Sequence, residues 1–449
     1  MPVDSRVRLT GNFGRRASHG FALGLALLLS ISALPRAAQA YSVLTHEELI
    51  DLAWDDSIRP LLVSRYPNVS ESELLNAHAY AYGGAAIQDM GYYPFGKEFF
   101  SDLTHYVRTG DFVVSLFRNQ RNVDELAFAV GALSHYLGDN IGPSECINPA
   151  TAIEFPKLAR KYGELVTYDE SPHSHIRTEF AFDIDQLSHH RLAPAVYLRQ
   201  IGLKVPRPLL ERAFTETYGL SLQEVLGPER PAIRSYRSSA RNVIPKFAHA
   251  ETVIHGSHFP DDVEDKAFLQ FEHNVSGADF QKHWAGERHH PGFTTHLLAL
   301  LILIMPRIGD LSDLAVRGPN QQTEEWYVRS VDHTMAAFRE ILKNLQDQPA
   351  PTPKLENSDL DTGNPVRPGA YALTDKTYAE LLKKLARDPE RRLPPGLRQD
   401  ISKYYSDPNA PIVTRRDRHA WAELQSELAI IRTMPVTGTD SKIVFSKNE

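Results

Sequence analysis

Polar residues suited to helix capping punctuate this chain, and each is followed by apolar residues at helical spacing. Thr45-His46-Glu47-Glu48 reads as a capping box opening a helix that runs through about Leu62. Ser70-Glu71-Ser72-Glu73 reads as a second box ahead of Leu74 and Leu75. Asn122 is placed to cap a third helix, whose apolar side includes Leu126, Val130 and Leu133 and which ends near Gly138 to Gly142. Alternating strand-like runs are few and no repeat of fixed period occurs, so the pattern predicts an all-α fold.

Two apolar runs and one proline-rich stretch divide the chain. Arg6, Arg8, Arg15 and Arg16 precede an apolar core from Phe21 to Leu34, which Pro35 and Ala38-Gln39-Ala40 follow. This is the layout of a secretory signal peptide over residues 1–40, cut between Ala40 and Tyr41, with the protein then periplasmic or secreted. Leu297 to Met305 is wholly apolar, but nine residues cannot cross a bilayer. A buried core helix ended or kinked by Pro306 is the expectation there. Gln348-Pro349-Ala350-Pro351-Thr352-Pro353 predicts an extended linker, spanning 346–369. It separates a helical domain at 41–345 from an appendage at 370–449, in which Thr374–Ala386 and Arg418–Arg432 read as helices without chemistry of their own.

Composition narrows the function classes. The chain has 449 residues and a net charge of −7, and the leader carries five Arg and one Asp, so cleavage leaves 409 residues at −11. Such a charge disfavours duplex nucleic acid as a partner. Cys146 is the single cysteine, so no intrachain disulfide staples an exported chain and its stability falls to a large core or to bound metal.

Candidate chemistry concentrates between Tyr41 and Glu179. His46, Asp89, His105, His135 with Asp139, and His175 with Glu179 follow one another along the chain. Residues four apart share a helix face, so each His-x-x-x-acid pair can turn imidazole and carboxylate toward one ion. Nitrogen and oxygen donors of this kind suit zinc. Spacing alone does not choose among such pairs, since His258/Asp262 and His283/Glu287 share it.

The order Tyr41, His46, Asp89, His105, His135-x-x-x-Asp139, His175-x-x-x-Glu179 resembles the zinc-dependent phospholipase C superfamily, which also includes zinc-dependent single-strand nucleases. Tyr82-Gly83-Gly84 through Asp89, and His135-Tyr136-Leu137-Gly138-Asp139, are similar to its bacterial zinc-dependent phospholipase C branch. The resemblance covers roughly residues 41 to 200. It implies a multi-helix bundle around two to three zinc ions. The amine and carbonyl of Tyr41, with His46 and Asp139, would hold one ion; Asp89, His105, His135 and the bridging Asp139 a second; His175 and Glu179 a third.

Two departures stand out. The family usually has Trp where this chain has Tyr41, a mild change because backbone atoms coordinate. A further family histidine is missing from Asn140-Ile141-Gly142-Pro143-Ser144-Glu145-Cys146, where Glu145 is the expected substitute ligand, ahead of Cys146 or His173. Whether the third ion binds is thereby left open.

The implied activity is hydrolysis of phosphodiesters by an exported enzyme. A zinc-bound hydroxide would attack phosphorus in line, Asp89 would orient or deprotonate the attacking water, and phospholipid headgroups would be the substrate, met at a membrane surface. A zinc-dependent single-strand nuclease and a non-catalytic zinc-binding interaction protein are the alternatives. The pairs His189/His190, His255/His258 and His289/His290 fall outside the pattern, and His78 is expected in the core or behind the ligands. Oligomeric state is left open.

Overall fold

The computed structural model describes residues 41–255, 266–278, 280–281, 318–347 and 352–437. The leader, His258/Asp262, His283/Glu287, His289/His290 and the apolar run 297–305 lie outside the described residues. Within them the protein is all-α apart from a two-stranded hairpin. The elements that build the site are α1 (Val43–Ala53), α2 (Glu71–Ala85), α3 (Glu98–Tyr106), α4 (Thr109–Asn119), α5 (Val123–Gly142), α6 (Pro172–Ser188) and α7 (Gln321–Asp347). After them come strands β1 (Ser358–Asp359) and β2 (Asn364–Pro365), then α8 (Ala372–Ala386) and α9 (Arg418–Thr433).

Local sequence explains the starts of α2 and α5. Ser70 Oγ accepts from the Glu73 amide while Glu73 reaches back to the Ser70 amide, a reciprocal capping box. Asn122 accepts from the Glu125 amide at 2.9 Å and opens α5, which ends at Gly142 as its pattern predicts.

The first helix differs from its sequence signature. It starts at Val43, so Thr45 lies inside the first turn rather than at its cap. Asp183 of α6 caps it from a distance: its carboxylate accepts from the amides of Leu44 and Thr45, both at 3.0 Å, and from Thr45 Oγ1 at 2.7 Å. The helical path then widens into a π turn at Trp54–Ile58 before continuing to Arg65.

Gly84 and Gly131 let α2 and α5 cross in backbone contact. A Cβ on Gly84 would sit 2.1 Å from the Phe128 carbonyl oxygen, and one on Gly131 2.0 Å from that of Ala81. This crossing sets the site's spacing, because α5 carries His135 and Asp139 while Asp89 follows the end of α2 in a 3-10 turn, Gln88–Tyr92. Gln88 Nε2 ties that turn to the Ala132 carbonyl at 3.0 Å. Farther along α5, Gly138 and Gly142 make room for the ring of Tyr41, whose hydroxyl donates to Ser330 of α7 at 2.6 Å.

The segment after α7 lies against the same helices. Ser358 exchanges hydrogen bonds with Thr109, donating to Oγ1 at 3.0 Å and accepting at 2.8 Å. Leu360 donates its amide to the His105 carbonyl at 3.0 Å, and Tyr136 donates to that of Glu356 at 2.7 Å. One core of buried apolar side chains extends from Tyr41 to Met434 and includes Leu360, Leu381 and Leu385. Within the expected linker, residues 356–360 therefore form a seam with buried partners, while 348–351 lie outside the described residues.

Candidate metal centre

His46 on α1, Asp89 after α2, His105 at the end of α3, and His135 with Asp139 on α5 converge on one buried volume. Asp139 is its hub: Oδ1 lies 3.2 Å from His46 Nε2, and Oδ2 lies 2.9 Å from His135 Nε2 and 3.3 Å from His105 Nε2. Asp89 Oδ1 stands 3.3 Å from His105 Nε2 and 3.9 Å from that of His135. All five side chains are at most 1 % exposed, so nothing here is solvated by bulk water.

Backbone carbonyls aim the rings. His105 Nδ1 lies 2.8 Å from the Ser101 carbonyl and His135 Nδ1 3.0 Å from that of Ala85. A carbonyl only accepts, so each Nδ1 carries a proton and each Nε2 turns toward the carboxylates, the usual outer support of a metal-bound histidine. His46 stacks on His135 with centroids 4.2 Å apart.

The inner polar atoms are unsatisfied. Both oxygens of Asp89 and of Asp139, both ring nitrogens of His46, His175 Nδ1 and Glu179 Oε1 are buried without a hydrogen-bond partner, their polar neighbours being one another. Buried groups left in this state are costly unless a cation joins them. The titration behaviour agrees. Burial raises the Asp139 carboxyl, but His135 and His46 outweigh it and hold its pKa well below the usual range. Burial disfavours a charged His105, yet Asp139 and Asp89 draw a proton onto it and raise its pKa well above the ordinary value. Nitrogen and carboxylate donors with carbonyl-anchored rings fit zinc.

His175 and Glu179 form a second group on α6, with Nδ1 and Oε1 2.7 Å apart. Burial drives the His175 pKa down to about 3 and raises that of Glu179 well above the usual carboxylate range, first by desolvation and then through Asp139. Asn148 sets the ring's orientation. Its Nδ2 donates to the Asp361 carbonyl at 2.9 Å, which turns Oδ1 toward His175 Nε2, also at 2.9 Å. The proton of His175 is then on Nε2, and a nitrogen lone pair faces the carboxylate oxygen. Without metal a proton on Glu179, which its raised pKa favours, fills the 2.7 Å gap; a cation held by both groups would take that proton's place.

Glu145 is a correction to the sequence expectation. It sits in a π turn, Pro143–Ile147, that adds a residue to the end of α5 and swings this side chain outward, where it pairs with His333 at 2.8 Å on the surface. Asn148, three residues on and 3 % exposed, takes the inward position beside His175. Cys146 is buried within reach of Ser330, near the Tyr41 hydroxyl, and His173 is exposed. Tyr41 places its ring centroid 6.0 Å from that of His46. His78 stacks on Trp54 with centroids 3.8 Å apart and pairs with Asp51 at 3.4 Å, a core position behind α1.

Sequence reasoning did not find Asn148, Asp183 or Asp361. Asp183 had a signal, since it extends the His175, Glu179 stripe by another four residues along α6. Asp361 had none. It lies in the β1–β2 turn, where Oδ2 accepts from Tyr106 at 2.8 Å and from Tyr371 at 2.6 Å. Burial lifts its pKa to about 6, although Tyr371, His105 and Tyr106 pull it down.

Asn148→Leu tests the second group. It removes the acceptor of His175 Nε2–H while keeping the number of side-chain heavy atoms, so the chain should bind less zinc than the parent. Metal analysis of variant and parent protein reads this directly, and equal stoichiometry would show that Asn148 does not support the group.

Residues 45–226 match a family model described as zinc dependent phospholipase C, and the match encloses every residue from His46 to Glu179 discussed above. No curated protein and no solved structure matches the chain.

Proposed function

We propose that this protein, of which residues 45–226 match the zinc dependent phospholipase C family model, is an exported phosphodiester hydrolase that cleaves phospholipid headgroups. The observation that carries the proposal is the set of buried, hydrogen-bond-free donors around Asp139. Around that hub His46, Asp89, His105 and His135 would hold zinc, with His175 and Glu179 at a separate position and the backbone of Tyr41 as a further ligand. Zinc there supplies Lewis acidity toward phosphoryl oxygens and lowers the pKa of water toward neutrality.

The chain's own residues do the rest. Asp89 offers two carboxylate oxygens with no hydrogen-bond donor, so it can orient water and accept its proton beside the phosphorus. Asp139, ringed by imidazoles, stays ionised and fixes their mutual spacing. His175 and Glu179 would hold a cation that offsets charge building on a departing alkoxide. Exclusion of bulk water strengthens each of these charges. The leader at 1–40 supports export, and amino-terminal sequencing of protein recovered outside the cytoplasm should begin at Tyr41.

Metal analysis and substrate assays test the proposal together. Two or three zinc ions per chain, with release of phosphocholine from lecithin, is the expected result. Asp89→Asn should retain the fold and lower that release by roughly 10²-fold or more. Degradation of single-stranded DNA in place of lecithin would move the protein to the nuclease reading. Inactivity toward both with zinc bound would leave the non-catalytic reading, and a stable metal-free fold would sink the cluster itself.

A further inference from the structure

Away from the Asp139 hub, the end of α6 meets the start of α7. Asp185 and His189 stand four apart at the carboxyl end of α6, and Glu324 lies in the first turn of α7. One carboxylate oxygen from each acid and a ring nitrogen of His189 all lie within 4.8 Å of one another. Asp185 is 0 % and Glu324 1 % exposed, so both acids are out of water.

The outer oxygens of these acids are already held. Asp185 Oδ2 accepts from Gln186 Nε2 at 2.8 Å, and Glu324 Oε1 accepts from Arg191 Nη1 at 3.0 Å. Asp185 Oδ1 and Glu324 Oε2 remain, buried and with no hydrogen-bond partner. His189 Nδ1 lies 3.5 Å from Asp185 Oδ1. Carboxylates fixed by one oxygen and free at the other, facing an imidazole, make the outer and inner layers of a metal site. Arg191 also pairs with Glu272 at 2.5 Å, so its charge is shared and does not cancel both free oxygens.

We propose that Asp185, His189 and Glu324 form a second cation site, for a divalent transition metal such as zinc, that ties the end of α6 to the start of α7. A nitrogen with two oxygens is a zinc-type donor set. The site also lies at a helix carboxyl end, where the backbone dipole favours a cation. The Asp185 carboxylate beside it raises the His189 pKa to about 9, so the imidazole, whose Nδ1 also lies 3.0 Å from the Asp185 backbone carbonyl, carries a proton that the incoming ion displaces. The ion is structural: it sits outside the matched catalytic cluster and bridges helices far apart in sequence.

The test uses the full chain dialysed against zinc chloride. Glu324→Gln and His189→Gln, made separately, should each bind one zinc fewer than the parent, with far-UV circular dichroism and lecithin hydrolysis retained. His189 is partly exposed, so its variant remains decisive if the buried Glu324→Gln fails to fold. Parental zinc stoichiometry in either folded variant overturns the proposal. So does a crystal soaked in zinc chloride that shows no zinc-edge anomalous peak between the three residues, a measurement that needs no variant.

Discussion

Replacing Asp139 with alanine is expected to strip zinc from the hub and to cut phosphodiester hydrolysis by about 10²–10³-fold or more. Among the described residues Asp139 alone pairs with His46, His105 and His135 at once, at 3.2, 3.3 and 2.9 Å. Without it the three rings keep their places on separate elements but lose the charge that balances a bound cation. The same change removes zinc's contribution to stability. A ligand that binds only the folded chain stabilises it by RT ln(1 + [L]/Kd), about 2.7 kcal/mol when the ligand is at 100 times Kd. A chelator should therefore lower the parent's melting temperature by more than that of Asp139→Ala, which keeps only zinc held outside the hub. Parental zinc content and activity in the variant would remove Asp139 from the centre of the site.

Ending the chain after Asp347 is expected to be as damaging, although the cut falls in a proline-rich stretch far from every zinc-type ligand in sequence. Truncation removes the acceptor of Tyr106, the donor to the His105 carbonyl, both bonds of Ser358 with Thr109, the acceptor of Tyr136 and the carbonyl that orients Asn148. Each such bond contributes about 1 kcal/mol, and each buried group left unpaired costs about 1–3 kcal/mol. A typical native chain holds only about 5–15 kcal/mol in reserve. Loss of α8 also uncovers apolar core at Leu381 and Leu385 and the surface they cover. The truncated chain should aggregate or melt cooperatively at a much lower temperature, with depleted zinc. A soluble product with the parental melt and metal content would show that residues 352–437 are dispensable to the site.

The milder Asp361→Asn separates charge from architecture. It keeps the turn and its backbone carbonyl but alters the acceptor shared by Tyr106 and Tyr371. The contrast between the two changes tells whether the seam acts through its fold or through that carboxylate.

Helix caps and helix faces were legible in the sequence because each is decided within a few residues. Ser70 and Asn122 cap the helices that follow them, and α5 runs to Gly142. His135 with Asp139, and His175 with Glu179, share faces because four residues make about one helical turn. What the sequence could not decide are contacts between parts of the chain far apart. Asp183 rather than Thr45 caps α1, because α6 brings a carboxylate to amides 138 or 139 positions earlier. A π turn after α5 turns Glu145 to the surface and Asn148 inward, a change of phase invisible to a count of residues. Asp361 reaches the wall of the site 255 positions after Tyr106, and Glu324 meets Asp185 although well over a hundred residues separate them. Local hydrogen bonding fixes periodicity and therefore shows in the sequence. Closure of long loops over a common core fixes which faces meet, and that is settled only when the whole chain packs.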